Sequence, residues 1–425
     1  MLYSVVGLQF GDEGKGKFVD YLAGKIKHIA RFNGGANAGH CVQVKNQRLS
    51  FSQLPATLYQ GNMYICQGAL ISLEILISEI ERLKQIRQDI SIYIDYRCHI
   101  VLPIHASLNQ ASEKFKGSRK IGSVGLGIGA CFEDKANRHG IRLYDALDKI
   151  KLREKLAFLW DLREKQITYV FNDTLTLEFE DVVERLYEQC QYIKPYLAFT
   201  DKKIRQLLGD NKDVLLETSQ ATFLDNAFGS YPYTVAYQTL VQSCFSIIGI
   251  PASPIHVLGV MKAYMIRVGN GPFPTELHDD AAINIRERGN EYGTVSGRPR
   301  RCGWLDLNLI KQAIELNGVT ELAITNVDVL ANVDEIKIAI NYMKKDKPIT
   351  CEAALLNLSE VTPIYYTFRG WPQLKGNYHS RLELPVELRL FYHLLKSIQI
   401  KKFVTFRMGP IEIKQLFVIK LRRKL

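Results

Sequence analysis

Short apolar runs rich in β-branched residues recur along the chain, separated by stretches of helical composition. The runs are Leu2 to Val6, Asn62 to Cys66, Ser91 to Ile94, Asp213 to Glu217, His256 to Val260 and Leu322 to Asn326. Runs of this length without strict alternation read as strands buried on both faces. Their alternation with helices predicts an α/β fold with a large, mostly parallel central sheet and helices on both sides. Lys17 to Ala23 has the composition of the helix that follows the first strand. The segment from Asp145 to Leu208 breaks the rhythm, being charged, leucine-spaced and free of glycine, and it predicts a helical subdomain. No repeat or long linker divides the rest, so residues 1–425 read as one domain with a helical insertion at about 145–208.

Between the first strand and its helix lies Gly7-Leu-Gln-Phe-Gly-Asp-Glu-Gly-Lys-Gly-Lys17. Glycines let backbone N–H groups face an anion, and a helix N-terminus with Lys15 or Lys17 completes a P-loop-like cradle for polyphosphate. Gly11-x4-Gly16-Lys17 matches the first part of the Walker pattern, but Phe18 replaces its Ser or Thr and removes the usual magnesium hydroxyl. Asp12 inside such a loop repels phosphate unless a divalent cation or a proton transfer gives it a purpose; the alternative is an ordinary turn aspartate. A second glycine-rich loop, Asn33-Gly-Gly-Ala-Asn-Ala-Gly-His40, carries a histidine suited to steadying phosphoryl charge or acting as an acid. A packed structural histidine is its alternative.

The chain of 425 residues, 47% hydrophobic and 23% charged, has the composition of a globular protein. It lacks the apolar run of about 18 residues that a membrane span needs. The N-terminus enters a strand at once, without the pattern of a signal peptide, so a cytoplasmic location is expected. Eight cysteines are scattered singly, without metal-like spacing, and read as reduced and structural. The net charge of +11 is spread out except at Arg298 to Arg301 and Lys420 to Lys424, and no nucleic-acid motif accompanies it. A surface that attracts anionic nucleotides accounts for it without a nucleic-acid partner.

Ile121-Gly-Ser-Val-Gly-Leu-Gly-Ile-Gly129 is a further glycine-dense loop, followed by Lys135, Arg138 and Arg142 at a spacing that predicts one helical face. Glu217-Thr-Ser-Gln220 follows a strand and opens into a polar loop, and the Gln220 amide is suited to a base edge, with an ordinary polar turn as the alternative. Gly289 to Gly303 is an arginine-rich substrate loop whose forks suit carboxylate or phosphate. Thr325-Asn-Val-Asp328 ends another strand with a carboxylate able to accept from guanine, and Gly409-Pro410 offers backbone contacts.

Taken in order, these pieces resemble the adenylosuccinate synthetase family, from Leu2 to about Tyr342 and again near Gly409. The strongest signals are Gln9 to Lys17, Asn37 to His40, Glu133-Asp-Lys135, Val268 to Leu277, and Gly289 to Gly293 through Gly303 to Asp306. The resemblance implies a GTP-dependent ligase that joins L-aspartate to IMP through a 6-phosphoryl intermediate. It implies catalytic Asp12, His40 and Lys135, with IMP on Asp12, Glu13, Gly14, Lys15, Asn37, Ala38, Gly39, His40, Arg138, Gln220 and Arg298. GTP falls on Gly11, Asp12, Glu13, Gly14, Lys15, Gly16, Lys17, Gly39, His40, Cys41, Arg300, Asn326, Val327, Asp328 and Gly409. Aspartate falls on Thr294, Val295, Ser296, Gly297, Arg298 and Arg300, and Mg²⁺ on Asp12 and the carbonyl of Gly39. Arg138 implies a homodimer, because in this family it reaches across a two-fold interface.

The chain also departs from the family pattern. Val124, Leu126 and Ala130 stand where the first nucleotide loop usually has Thr, Arg and Pro, and Val235 replaces a later phosphate-binding Thr. The usual Gly-Ala-Gln-Gly loop is Thr218-Ser-Gln-Ala221, the guanine-site Lys is Asn326, and the C-terminal Gly-Pro-Asp-Arg is Gly409-Pro-Ile-Glu412. The same chemistry on another purine nucleotide or a specialised acceptor is therefore one alternative. A nucleotide-binding regulator without turnover is a second.

Overall fold

The structure is a computed structural model. It describes residues 1–44, 47–87, 89, 91–293, 297–375, 378, 381–396 and 403–406. Among these, nine strands form one sheet: β1 Leu2–Gly7, β2 His28–Arg31, β3 Asn62–Ile65, β4 Ser91–Asp95, β5 Leu197–Ala198, β6 Val214–Ala221, β7 Ile255–Lys262, β8 Glu321–Thr325 and β9 Phe403–Phe406. Their spatial order is β9-β8-β7-β1-β6-β2-β3-β4-β5, and every neighbouring pair is parallel. The α/β class and mostly parallel sheet expected from the apolar runs are therefore present.

Successive residues of a central strand serve opposite faces. Leu215 packs with Val5, Ile29 and Val260 beneath Phe18 and Val19 of helix Lys15–Ala23, whereas Leu216 packs with Leu2, Ala30 and Phe32 against Cys244 and Ile248 of helix Ser243–Ile248. Each such fully buried aliphatic side chain contributes about 2 kcal/mol. Layers on both faces thus fix β1, whose C-terminal end carries the phosphate loop.

Several elements differ from expectation. β2 is bounded by His28 and Arg31, so its four residues do not announce a strand; Arg31 is nevertheless buried, donating to Ser52 O at 2.6 Å and Ser219 Oγ at 2.8 Å. The inserted segment contains helices Lys149–Lys165, Phe179–Ile193 and Thr200–Gly209, but it also supplies edge strand β5, with Leu197 opposite Ile94. The C-terminal third adds an antiparallel sheet of Glu335–Lys344, Lys347–Ile349 and Thr362–Arg369. The expected helical face of Lys135, Arg138 and Arg142 does not form, because helix Ile128–Asn137 ends and Arg138 caps it in a left-handed conformation at φ 67°.

Helix Leu307–Asn317 starts from a buried carboxylate. Asp306 accepts from the N–H groups of Asn308 at 3.2 Å and Leu309 at 3.3 Å, and Tyr342 donates its hydroxyl to Asp306 at 2.5 Å. Burial pushes the Asp306 carboxyl up to about 6 against these opposing bonds. A carboxyl raised in the folded state contributes stability below its unfolded pKa and loses that contribution as pH rises through the folded value. The melting temperature of Asp306→Asn relative to the parent is therefore expected to move in the variant's favour by roughly 3 °C between pH 5 and pH 7.5. Thermal melts at the two pH values check this, and an equal gap at both would rule it out.

Candidate functional site

The C-terminal ends of β1, β2, β6, β7 and β8 open into one cleft of about 1040 Å³. Open parallel sheets place ligands there because the strand-to-helix turns converge at that edge. Three site residues hold left-handed backbones uncommon outside glycine: Asp12 at φ 58°, Gln220 at φ 64° and Asn326 at φ 58°. Asp12 sits in the loop after β1, Gln220 near the end of β6 and Asn326 directly after β8, and all three line the cleft.

The phosphate loop is shaped from below by Glu13. This side chain is fully buried and accepts from the N–H groups of Gln9 at 3.1 Å and Gly11 at 2.9 Å, while Lys15 donates to its other oxygen at 2.8 Å. Gly7 must be glycine here, because a Cβ would lie 2.3 Å from a Glu13 carboxylate oxygen. Gln9 ties the loop to β7, donating to Tyr264 O at 2.9 Å and accepting from Lys262 N at 3.0 Å. Gly11, Asp12, Gly14, Lys15, Gly16 and Lys17 line the cleft, whereas Glu13 lies under the loop, away from that wall.

A chain of charges crosses the floor. Arg300 Nη2 pairs with Asp12 Oδ2 at 2.6 Å, and Arg300 Nη1 donates to Glu291 Oε2 at 2.8 Å. The other Glu291 oxygen accepts from the Tyr264 hydroxyl at 2.5 Å and pairs with Lys262. Burial alone would lower the Arg300 pKa, but Asp12 and Glu291 hold it raised. The sequence reading missed Glu291 and Lys262, since nothing local in Gly289-Asn-Glu-Tyr-Gly marks its glutamate as the anchor of this chain.

The second glycine-rich loop brings His40 against Glu217 in the middle of β6, with the imidazole Nδ1 bonded to a carboxylate oxygen. The other oxygen accepts from Ala56 N at 2.8 Å. Burial would raise the Glu217 pKa, yet His40 and Arg31 beside it hold it below the ordinary carboxylate range. Because a carboxylate accepts at Nδ1, Nδ1 carries the proton and Nε2 is the nitrogen left for a ligand. Nearby, Gln220 donates to Asn37 O at 3.1 Å, and the Asn37 side-chain oxygen is buried with no partner in the structure. An orphaned buried acceptor in a cleft suits a ligand N–H.

Other residues singled out from sequence fall in three groups. Ala38, Gly39, Asn326 and Asp328 line the cleft with those above. Lys135, Arg138, Val327, Gly297 and Arg298 are not on that wall; the Lys135 ammonium lies 5.6 Å from the Phe132 ring, and burial lowers its pKa. Thr294, Val295, Ser296 and Gly409, with the basic run Lys420 to Lys424, lie outside the described residues.

A glycine-rich loop holding a carboxylate and a histidine bonded to a second carboxylate line one cleft, an arrangement that suits the movement of a phosphoryl group. Comparison with known proteins agrees: the family model described as adenylosuccinate synthetase matches residues 4–412. The chain belongs to the adenylosuccinate synthetase family. Adenylosuccinate synthetase 1 of Photorhabdus laumondii is 65% identical over 397 residues, covering 93% of this chain and 95% of that one. The Borrelia turicatae adenylosuccinate synthetase is 38% identical over 93% of each chain. The fully ligated adenylosuccinate synthetase structure from Plasmodium falciparum superimposes with a TM-score of 0.90 at 30% identity, covering 99% of this chain and 100% of that one. Cyanophage S-2L succinoaminodeoxyadenylate synthetase, at 19% identity and a TM-score of 0.62, shares the fold. The chain is thus a GTP-dependent ligase of purine biosynthesis, of the kind that joins L-aspartate to IMP. No helix among the described residues is long and apolar enough to cross a membrane.

Glu291 has a distinct structural consequence in this synthetase. Glu291→Gln leaves the Lys262 ammonium buried without its counter-charge, and removing one partner of a buried pair costs about 3–5 kcal/mol. Urea unfolding of the variant checks this, and a loss below about 1 kcal/mol would rule out the buried network as a stabilising unit.

Proposed function

We propose that adenylosuccinate synthesis runs on Asp12 and His40, with IMP at Asn37 and Gln220 and GTP on the loop Gly11 to Lys17. The observation that carries this is the placement of Asp12 and His40 on one cleft wall, each held by a partner of opposite charge or by a hydrogen-bonded carboxylate. Asp12 takes the N1 proton of the hypoxanthine, and the resulting O6 attacks the γ-phosphorus as the bond to the β-phosphate oxygen breaks and GDP leaves. His40 Nε2 steadies the transferring phosphoryl group. The aspartate amine then attacks C6, the C6–O6 bond breaks, and phosphate leaves with the amine proton.

Arg300 supports the second step by exchange. Its fork holds Asp12 in the structure described here and is released for the incoming aspartate carboxylate. Asn326 and Asp328 hold the guanine at the other end. The Asp12 carboxylate and the Gly39 backbone are hard oxygen donors on the same cleft and fit Mg²⁺, which needs few protein ligands beside phosphate oxygens. When bound, that ion neutralises phosphate charge. Arg138 is exposed and off its own chain's cleft wall, as a residue serving a partner across a two-fold axis would be, which supports a homodimer. The described cysteines are free thiols, which supports a cytoplasmic setting.

Two variants test the assignments. Asp12→Asn keeps the loop's shape but cannot take a proton, so GTP binding is expected to persist while turnover is lost; retained turnover removes Asp12 as the base. Glu217→Gln keeps the bond to His40 but removes the charge, and kcat is expected to fall about 10–100-fold with the KM for GTP little changed. Steady-state kinetics reads both, and an unchanged kcat in the second variant would show that Glu217 only packs.

A further inference from the structure

We infer that Arg267, at the end of the short strand Met265–Arg267, is a positioning residue for the acceptor nucleotide: its buried guanidinium holds together the loops that receive the acceptor's sugar and 5′-phosphate. The inference rests on the ligase assignment above and adds a residue to which that assignment gives no role. Arg267 is 1% exposed and lines the cleft. Its Nη2 donates to Ser230 Oγ at 2.8 Å and Tyr233 O at 3.1 Å, its Nη1 to Pro272 O at 2.9 Å and its Nε to Asn270 O at 3.1 Å. The guanidinium carbon also lies 4.4 Å from the centre of the Phe10 ring, in the loop after β1. One side chain thus joins three segments of the cleft wall.

A buried cation is a costly tie if packing is all it does. Desolvation and the like charge of Arg301 work against the charged form, and the neighbouring carboxylate of Glu276 is already bonded to Arg301 at 2.7 Å. An apolar side chain of similar volume would pack the same loops at less cost. The carbonyl oxygens satisfy the fork but leave its positive charge in the wall, where it favours an anionic ligand. The loops it holds say which part of the ligand that is. Tyr237 lies beside Asn37 and Gln220, the residues assigned to the base, and the same loop runs back from it to Tyr233 and Ser230. On the other side Asn270 extends the tie, donating its amide to Lys120 O at 2.8 Å, and a Cβ on Gly122 would lie 3.6 Å from Asn270 N. Gly271 has no room for a side chain, because its Cβ would lie 2.5 Å from Arg267 Nη2. Tyr231, Thr234, Ser123 and Gly129 line the cleft on these loops and offer hydroxyls and a helix-terminal amide. A nucleotide with its base at Asn37 and Gln220 lays its sugar and phosphate along donors that Arg267 has already set, which spares their ordering at binding.

Steady-state kinetics of the full chain with GTP, Mg²⁺, aspartate and IMP tests this. Arg267→Met removes charge and fork and is expected to raise the KM for IMP about 100-fold, and Arg267→Lys, which keeps the charge alone, about tenfold. The KM values for GTP and aspartate are expected to stay within about twofold of the parent's, and kcat within about threefold. A general loosening of the wall would instead move all three KM values or kcat. An unchanged KM for IMP, or an equal rise in all three, overturns the inference and leaves the ligase assignment standing. Ser230→Ala takes one oxygen from the fork without touching the charge, and it decides the matter if neither Arg267 variant folds: the KM for IMP alone is expected to rise about fivefold, and no rise overturns the inference. Absence of turnover by the parent chain removes the ligase assignment, and the inference with it.

Discussion

A carboxylate buried beneath a phosphate loop is tolerable only if every oxygen is satisfied, and Glu13 imposes that condition on everything around it. Two loop amides and Lys15 meet it. Gly7 must then lack a side chain, and Gly11 and Gly14 take positive φ so that the loop can turn around the buried group. Lys15 is held in place rather than left to find a phosphate by diffusion of its long side chain, which spares the ordering entropy at binding. Through Gln9 the same turn is tied to β7, and through Thr325, which donates to Glu13 O at 2.9 Å, to the end of β8. The cleft loops that follow β1 and β8 are thus set by one buried acid.

The charge chain from Asp12 to Lys262 does complementary work. A free carboxylate among phosphate-binding amides would oppose the anions the loop attracts. Pairing with Arg300 removes that conflict until a ligand offers the guanidinium another anion. Glu291 keeps Arg300 within reach throughout, because its other oxygen is fixed by Tyr264 and Lys262.

What the sequence revealed depended on how local each signal was. Five of the apolar runs lie in β1, β3, β4, β6 and β7, and a sixth in β8, because central parallel strands need continuous hydrophobicity that is visible in any short window. β2 and β5 escaped, one for its charged ends and the other for its two-residue length, since pairing with neighbours rather than composition makes them strands. The glycine loops with Asp12 and His40 were legible because backbone conformation demands glycine in sequence. Glu217, Glu291 and Lys262 were not, as their importance comes from partners up to 177 residues away along the chain. Lys135 and Arg138 show the converse: spacing suggested a shared helical face, but the helix stops between them in effect, with Arg138 turning left-handed.

The strand order has a consequence for how this molecule comes into being. β1 is made first, yet its two neighbours are β6 and β7, where Leu2 lies opposite Val214 and Ile255. At ordinary translation speeds β1 leaves the ribosome roughly 10–40 s before its first partner exists. Throughout that interval an apolar strand with both edges unpaired, and the phosphate loop attached to it, must be kept from associating with other chains. The earliest segment of the cleft to be synthesised is therefore among the last to acquire its shape, and the nascent chain's dependence on shielding is written into the topology of its sheet.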